Sequence, residues 1–237
     1  MFPKVGVEMF ATRRLCCAAT LLGIFFCATA SAAFNFVTQT RSVWGSCGGY
    51  FGSDSETITS PGFGLFDATT SVTVPTYGGG ANQHQHSELL SDKILYSGSA
   101  SVYRPAMVGT GIAEATTSID VTFHISTATQ IALEASGNAF GFGTAPQTIS
   151  LTGPATNINW SIFDSGLFPA VSGSRSTTAL LQPGDYRFRS GFYSTNTNYP
   201  SNNFGISSFN ITLSEVPEPG CLALLAIVPT LAIRRRC

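Results

Sequence analysis

Apolar and polar residues alternate in short runs through most of the chain. Thr116 to Ser126 sets Ile119, Val121, Phe123 and Ile125 against Ser118, Asp120, Thr122 and His124. Successive side chains of an extended strand point to opposite faces, so a period of two predicts a half-buried β-strand. The pattern recurs at Thr129–Ala135 with Ile131 and Leu133, and at Gln147–Thr152 with Ile149 and Leu151. Asn157–Asp164 continues it with Ile158, Trp160 and Ile162. In Phe204–Leu213 the apolar parity changes between Ile206 and Phe209, which predicts a bulge near Ser207-Ser208. Further strands are expected at 70–77, 93–104, 176–182 and 185–193. Turn signals fall at Ser136-Gly137-Asn138, Gly153-Pro154 and Pro183-Gly184-Asp185.

Short strands spaced by such turns indicate an all-β antiparallel β-sandwich, jelly-roll-like. Leu181 to Tyr186 reads LQPGDY, a turn followed by a tyrosine expected to cross the end of the sandwich and bond to backbone. Two stretches resist the pattern. Residues 45–66 carry too many glycines for a regular sheet, and residues 190–205, rich in Ser, Asn, Thr and Tyr, read as a long exposed loop. Gly78 to Asn82 also reads as a loop.

Composition narrows the classes. Charged residues are 11% of 237, which disfavours helical bundles, and hydrophobic residues at 43% exclude disorder. The formal charge of -1 argues against a nucleic-acid partner, which calls for a cationic surface. Between residues 34 and 216 eleven acidic residues face six basic ones, so this body is mildly acidic. Of the six cysteines only Cys47 lies in it, so no internal disulfide can form there. A buried small side chain is its expected role.

Both ends of the chain read as addresses. Arg13-Arg14, the apolar run Leu15 to Cys27 and the small-residue site Ala30-Ser31-Ala32 follow the order of a secretory signal peptide. The other end runs from Val216-Pro217-Glu218-Pro219-Gly220 through an apolar segment, Cys221 to Ile233, to Arg234, Arg235 and Arg236. The prolines punctuate the chain, and terminal arginines stay on the cytoplasmic side of a membrane. The expected organisation is a signal peptide at 1–33 with a helical apolar run, a β-sandwich at 34–215 and an apolar helical tail at 216–237.

This ending resembles the PEP-CTERM sorting signal of bacterial surface proteins, with Pro217-Glu218-Pro219 as its tripeptide and Arg234 to Arg236 as its basic stop. The resemblance implies an exosortase-type sorting enzyme as a partner, and contact with the membrane through the tail before processing. It also implies export to the cell envelope, surface or extracellular matrix, where polysaccharide is a further partner.

Candidate chemistry in the body is sparse. His84-Gln85-His86 places two imidazoles on one face of a strand, with His124 or Glu88 as a third metal ligand. Exposed polar residues are the plainer reading of that pair. No cofactor is expected; the scattered oxygen donors Asp54, Glu56, Asp92 and Asp164 leave a structural calcium ion as the alternative. No G-x-S-x-G elbow occurs, and with eleven acids any carboxylate pair could be chosen, so none is informative. The expected function is a non-enzymatic surface protein. The alternative is a carbohydrate-binding module, for which Tyr193 and Tyr199 are the foremost contacts among the aromatics Trp44, Tyr50, Tyr77, Tyr103 and Trp160. Trp160 falls on an apolar face and reads as core.

Overall fold

The computed structural model describes residues 34–49, 52–74, 79–104, 112–141, 147–162, 171–197 and 203–216. The signal run at 1–33 and the tail from Pro217 lie outside them. All described residues belong to one compact unit, Ala32–Val216. Twelve strands make up this unit: β1 (Asn35–Gly49), β2 (Gly52–Thr59), β3 (Leu65–Val74), β4 (Gly79–Leu90), β5 (Lys93–Arg104) and β6 (Ile112–Ile125). They continue with β7 (Thr129–Gly141), β8 (Thr148–Gly153), β9 (Thr156–Ser161), β10 (Val171–Leu181), β11 (Gly184–Thr197) and β12 (Asn203–Glu215).

The strands form two six-stranded antiparallel sheets. The first has the order β2-β1-β6-β11-β8-β9 and the second β10-β7-β12-β5-β4-β3. From β5 to β12 the chain crosses repeatedly between them, so β6-β11-β8-β9 lies in one sheet and β10-β7-β12-β5 in the other. β1 and β2 then extend the first sheet beside β6, and β3 and β4 the second beside β5.

The alternation seen in the sequence is what joins the sheets. Ile119, Val121, Phe123 and Ile125 of β6 are buried, as are Tyr186, Phe188 and Phe192 of β11. They share one core with Tyr96 of β5, Ile131 and Leu133 of β7, and Phe209, Ile211 and Leu213 of β12. Phe192 stacks on Phe209 across the interface at 5.6 Å between centroids, and Tyr96 meets Phe209 at 4.7 Å. The Tyr96 hydroxyl, whose pKa burial pushes up, hydrogen-bonds the Thr117 hydroxyl of β6. Each such aromatic contributes about 1.5–3 kcal/mol by leaving water. Phe209 needs its glycines: a Cβ on Gly98 would lie 3.0 Å from the ring and 2.5 Å from the His84 carbonyl oxygen.

Several expectations are corrected. Residues 45–49 and 52–59 are strand, and Gly45 serves there as a spacer: a Cβ on it would lie 3.2 Å from the Thr70 hydroxyl. β4 begins at Gly79, within the expected loop. Ser136-Gly137-Asn138 is no turn but the middle of β7, where Gly137 faces Phe209. Residues 190–197 complete β11, whose inward Ser190, Phe192 and Ser194 are buried. The register of β12 runs unbroken through Ser207 and Ser208 on both sides, so no bulge forms there. Ile206 instead points outward, 52% exposed, and Ser207 takes the inward position.

Arg41 was legible only as a cation, yet it is fully buried. Its Nε donates to Gln39 Oε1 at 2.9 Å, Nη1 to the Gly64 carbonyl at 2.7 Å, and Nη2 to the Gly62 carbonyl at 2.6 Å and Ser60 Oγ at 2.9 Å. Nη1 also reaches the carbonyl and hydroxyl of Ser87, both at 3.2 Å. Burial lowers its pKa to about 10, which leaves it charged at neutral pH. The fork therefore ties the connection from β2 to β3 onto β4, since a buried cation must satisfy its donors.

The tyrosine of the LQPGDY turn behaves as expected. Tyr186 is buried, and its hydroxyl donates to the carbonyls of Gln182 at 2.8 Å and Pro154 at 3.2 Å. Its ring covers Gly153, where a Cβ would fall 2.3 Å from Cδ1. Tyr186→Phe is expected to cost about 1–2 kcal/mol in a urea-unfolding midpoint, through two carbonyls left without their donor. Gly153→Ala is expected to cost about 1–3 kcal/mol by overpacking the same corner. Wild-type midpoints for both would contradict this arrangement.

Candidate functional site

The outer faces of the two sheets carry the exposed chemistry of the described residues. On the second sheet, neighbouring strands align small polar side chains into rows. One row runs Ser174, Ser136, Asn210, Ser97, His86 and Asp67 across all six strands. Over β10, β7 and β12 the small residues leave three adjoining depressions of about 390, 290 and 290 Å³, lined by groups such as Ser136, Asn138, Ser172 and Asn210.

At the other side of that face Asp67 of β3 meets both histidines of β4. His84 Nε2 lies 2.7 Å from Oδ1, and His86 Nδ1 lies 3.2 Å from Oδ2. The two imidazoles share a face, as their spacing predicts, but their common neighbour is Asp67. His124 lies on the first sheet, with its Nδ1 2.7 Å from Asp185 Oδ1. Glu88 lies on β4 opposite Leu65 and Leu95. Among the described residues no group of three His, Cys, Asp or Glu side chains could hold a metal ion. The calcium donors are likewise dispersed. Asp54 and Glu56 are on β2, where Glu56 accepts from the Ser71 backbone N–H at 3.1 Å, and Asp92 sits in the turn after β4. Asp164 lies outside the described residues.

On the first sheet the outward residues of β6 and β11 are charged in the middle. Asp120 accepts from Arg187 Nε at 2.8 Å and Nη2 at 2.6 Å, and from Arg189 Nε at 2.9 Å. The Arg187 bonds above all hold the Asp120 carboxyl below the usual carboxylate range. Toward the β1–β2 end the face changes character. Trp44, Thr116 and Tyr193 face outward in a single row, because Thr116 pairs with Trp44 on one side and Tyr193 on the other. The next row is Ser55, Ser46, Glu114 and Thr195. The Tyr193 hydroxyl donates to Glu114 Oε1, and its pKa is raised, chiefly by burial and then by that bond. Beside these rows lies a depression of about 450 Å³.

Of the foremost aromatic contacts, Tyr193 thus stands on a strand and not in a loop, and Tyr199, Tyr50 and Tyr77 lie outside the described residues. Pro217, Glu218, Pro219 and Arg234 to Arg236 also lie outside them. Trp160 packs against the core from β9, and Cys47 is a buried free thiol. Glu114 and Thr116 gain their place only through strand register, which no local pattern reveals. Trp44 was legible as an aromatic, and its parity with Ser42 and Ser46 was the available signal.

No protein-family model matches the chain, and no curated protein matches it. Solved structures that resemble it include the infectious bursal disease virus Gx strain, at 12% identity and a TM-score of 0.27, covering 80% of this chain and 58% of that one. Another is Arthrobacter globiformis T6 isomalto-dextranase complexed with panose, at 9% identity and a TM-score of 0.23, covering 63% and 33%. A Podospora anserina β-(1,4)-mannanase, GH26-CBM35, resembles it at 19% identity and a TM-score of 0.18, covering 50% and 26%. The chain therefore spans between about a quarter and three fifths of these proteins' lengths, and such slight likenesses carry no functional argument.

The Asp67 cluster has a measurable signature. Hydrogen bonds from His84 first, then His86, lower the Asp67 pKa below its ordinary value. A carboxyl depressed on folding stabilises the fold fully above its unfolded pKa of about 4, and that contribution is lost as pH falls through the lower folded value. Asp67→Asn is expected to flatten the fall in urea midpoint below about pH 4. An unchanged acid limb would show that Asp67 is not engaged.

Proposed function

We propose that this chain is an exported, non-enzymatic bacterial surface or extracellular-matrix protein with a jelly-roll interaction sandwich. In this reading a leader at 1–33 directs export. An exosortase-type enzyme sorts the chain through its tail, which contacts the membrane before processing.

The observation that carries the body's role is the make-up of its outer faces. Rows of serine, threonine and asparagine cover a continuous apolar core, offering hydroxyl and amide groups to water and to hydrated polymers. The jelly-roll description is supported by the strand order, with β5-β12-β7-β10 opposite β6-β11-β8-β9. Support for sorting is the residue order of the tail: Pro217-Glu218-Pro219, an apolar run, then Arg234, Arg235 and Arg236. A second reading, a carbohydrate-binding module, is favoured by the row of Trp44, Thr116 and Tyr193.

Replacing Pro217, Glu218 and Pro219 by alanine tests the sorting step. Intact mass of protein recovered from the cell surface is expected to lack the residues beyond the tripeptide in wild type. The variant is expected to be exported, to lose its leader, and to retain its tail. Equal masses from the two would contradict sorting at this tripeptide.

A further inference from the structure

We infer that the outer face of the first sheet, around Trp44, Thr116 and Tyr193, binds an uncharged saccharide chain. The inference gives the carbohydrate reading a site and a ligand class, and it is independent of the tail.

Three features of the geometry converge. First, Trp44 and Tyr193 stand outward two strands apart in one row, so their backbones are about 10 Å apart. Two aromatic faces at that separation suit a run of pyranose rings, whose C–H faces stack on aromatics while the ring hydroxyls stay at the edges. Thr116 lies between them with a hydroxyl that both donates and accepts.

Second, the next rows are low. Ser46, Gly48, Ser53 and Ser55 form the floor of the depression of about 450 Å³, and Ile112 and Glu114 bound it. Trp44 and Tyr193 stand in the row next to Ser46 and Glu114, so the hollow continues from the aromatic row. Its volume falls within the ordinary range for a small-molecule site.

Third, the charges select the ligand. Glu114 accepts from the Tyr193 hydroxyl, which holds the phenol across β6, and its carboxylate borders the hollow. Carboxylates accept hydrogen bonds from sugar hydroxyls and repel uronate or sulfate groups. The nearest cations on β11, Arg187 and Arg189, are already bonded to Asp120. The site therefore favours a neutral chain over an acidic one.

The test is titration of the full-length protein with cellohexaose, maltohexaose and laminarihexaose, and with hexagalacturonate as the anionic probe. Calorimetry gives affinity, and tryptophan emission reports contact at Trp44. At least one neutral hexamer is expected to bind with a change in emission, and hexagalacturonate is expected to bind more weakly. Trp44→Ala and Tyr193→Ala are each expected to weaken binding by about tenfold or more. Trp44→Phe and Tyr193→Phe keep a ring and guard against misfolding, and each is expected to retain more affinity than the matching alanine variant. Leu180→Ala, exposed on β10 of the opposite sheet, is expected to bind like wild type. Absence of binding by all three neutral hexamers overturns the inference, as does tighter binding of hexagalacturonate or wild-type affinity in a folded Trp44 variant. A chain sorted at its tripeptide that binds no hexamer would sink the site and leave the sorting proposal standing.

Discussion

Each paired strand must send neighbouring side chains to opposite faces, and everything else in this molecule follows from that constraint. The two six-stranded sheets bury a main core and a smaller cluster of Val43, Phe66 and Ala68, so a single parity along each strand is committed to packing. The other parity faces water. A shift of one residue in any central strand would exchange the two sets and expose the apolar one. The sorted outcome is a dense aromatic interior beneath faces dominated by hydroxyls, amides and a few charges.

That constraint also explains which elements were legible. β6 places Ile119, Val121, Phe123 and Ile125 inward, β11 Tyr186, Phe188 and Phe192, and β12 Phe209, Ile211 and Leu213, so their existence could be read from residues 116–126, 185–193 and 204–213. β4 could not, because its inward residues include Gln83, Gln85 and Ser87, which are buried yet polar. Gln83 Nε2 and Oε1 have no hydrogen-bond partner among the described residues, an interior no hydrophobic pattern announces. Glycine misled in the same way. At Gly45 it makes room for Thr70 of the other sheet, and Gly137, within β7, pairs with Phe209, although in sequence the one reads as irregular chain and the other as a turn. The tyrosine corner was legible because its central parts are local, a turn, a tyrosine and a carbonyl four residues upstream, while Gly153 and the Pro154 carbonyl come from a distant turn.

The candidate site shows the limit of local reading. Tyr193 was identifiable as an aromatic contact, but its assigned place in a loop was wrong, since β11 extends to Thr197. Its neighbours Thr116 and Glu114 come from β6, and Trp44 from beyond β6 on β1. Such a grouping depends on long-range register, which alternation alone leaves open. The histidine pair gives the same lesson: its spacing placed both rings on one face, yet the group they meet is Asp67, from the adjacent strand.

Ser207 and Ser208 offer the sharpest check on this sorting, because they are adjacent, chemically identical and assigned to opposite faces of the central strand β12. Ser207 is 2% exposed and Ser208 is open to solvent. The measurement is native-state alkylation of Ser207→Cys and Ser208→Cys, followed at the peptide level by mass spectrometry. The account predicts rapid labelling at position 208 and labelling at position 207 only through unfolding. Equal rates, or faster labelling at 207, would contradict the register on which both the core and the outer faces depend.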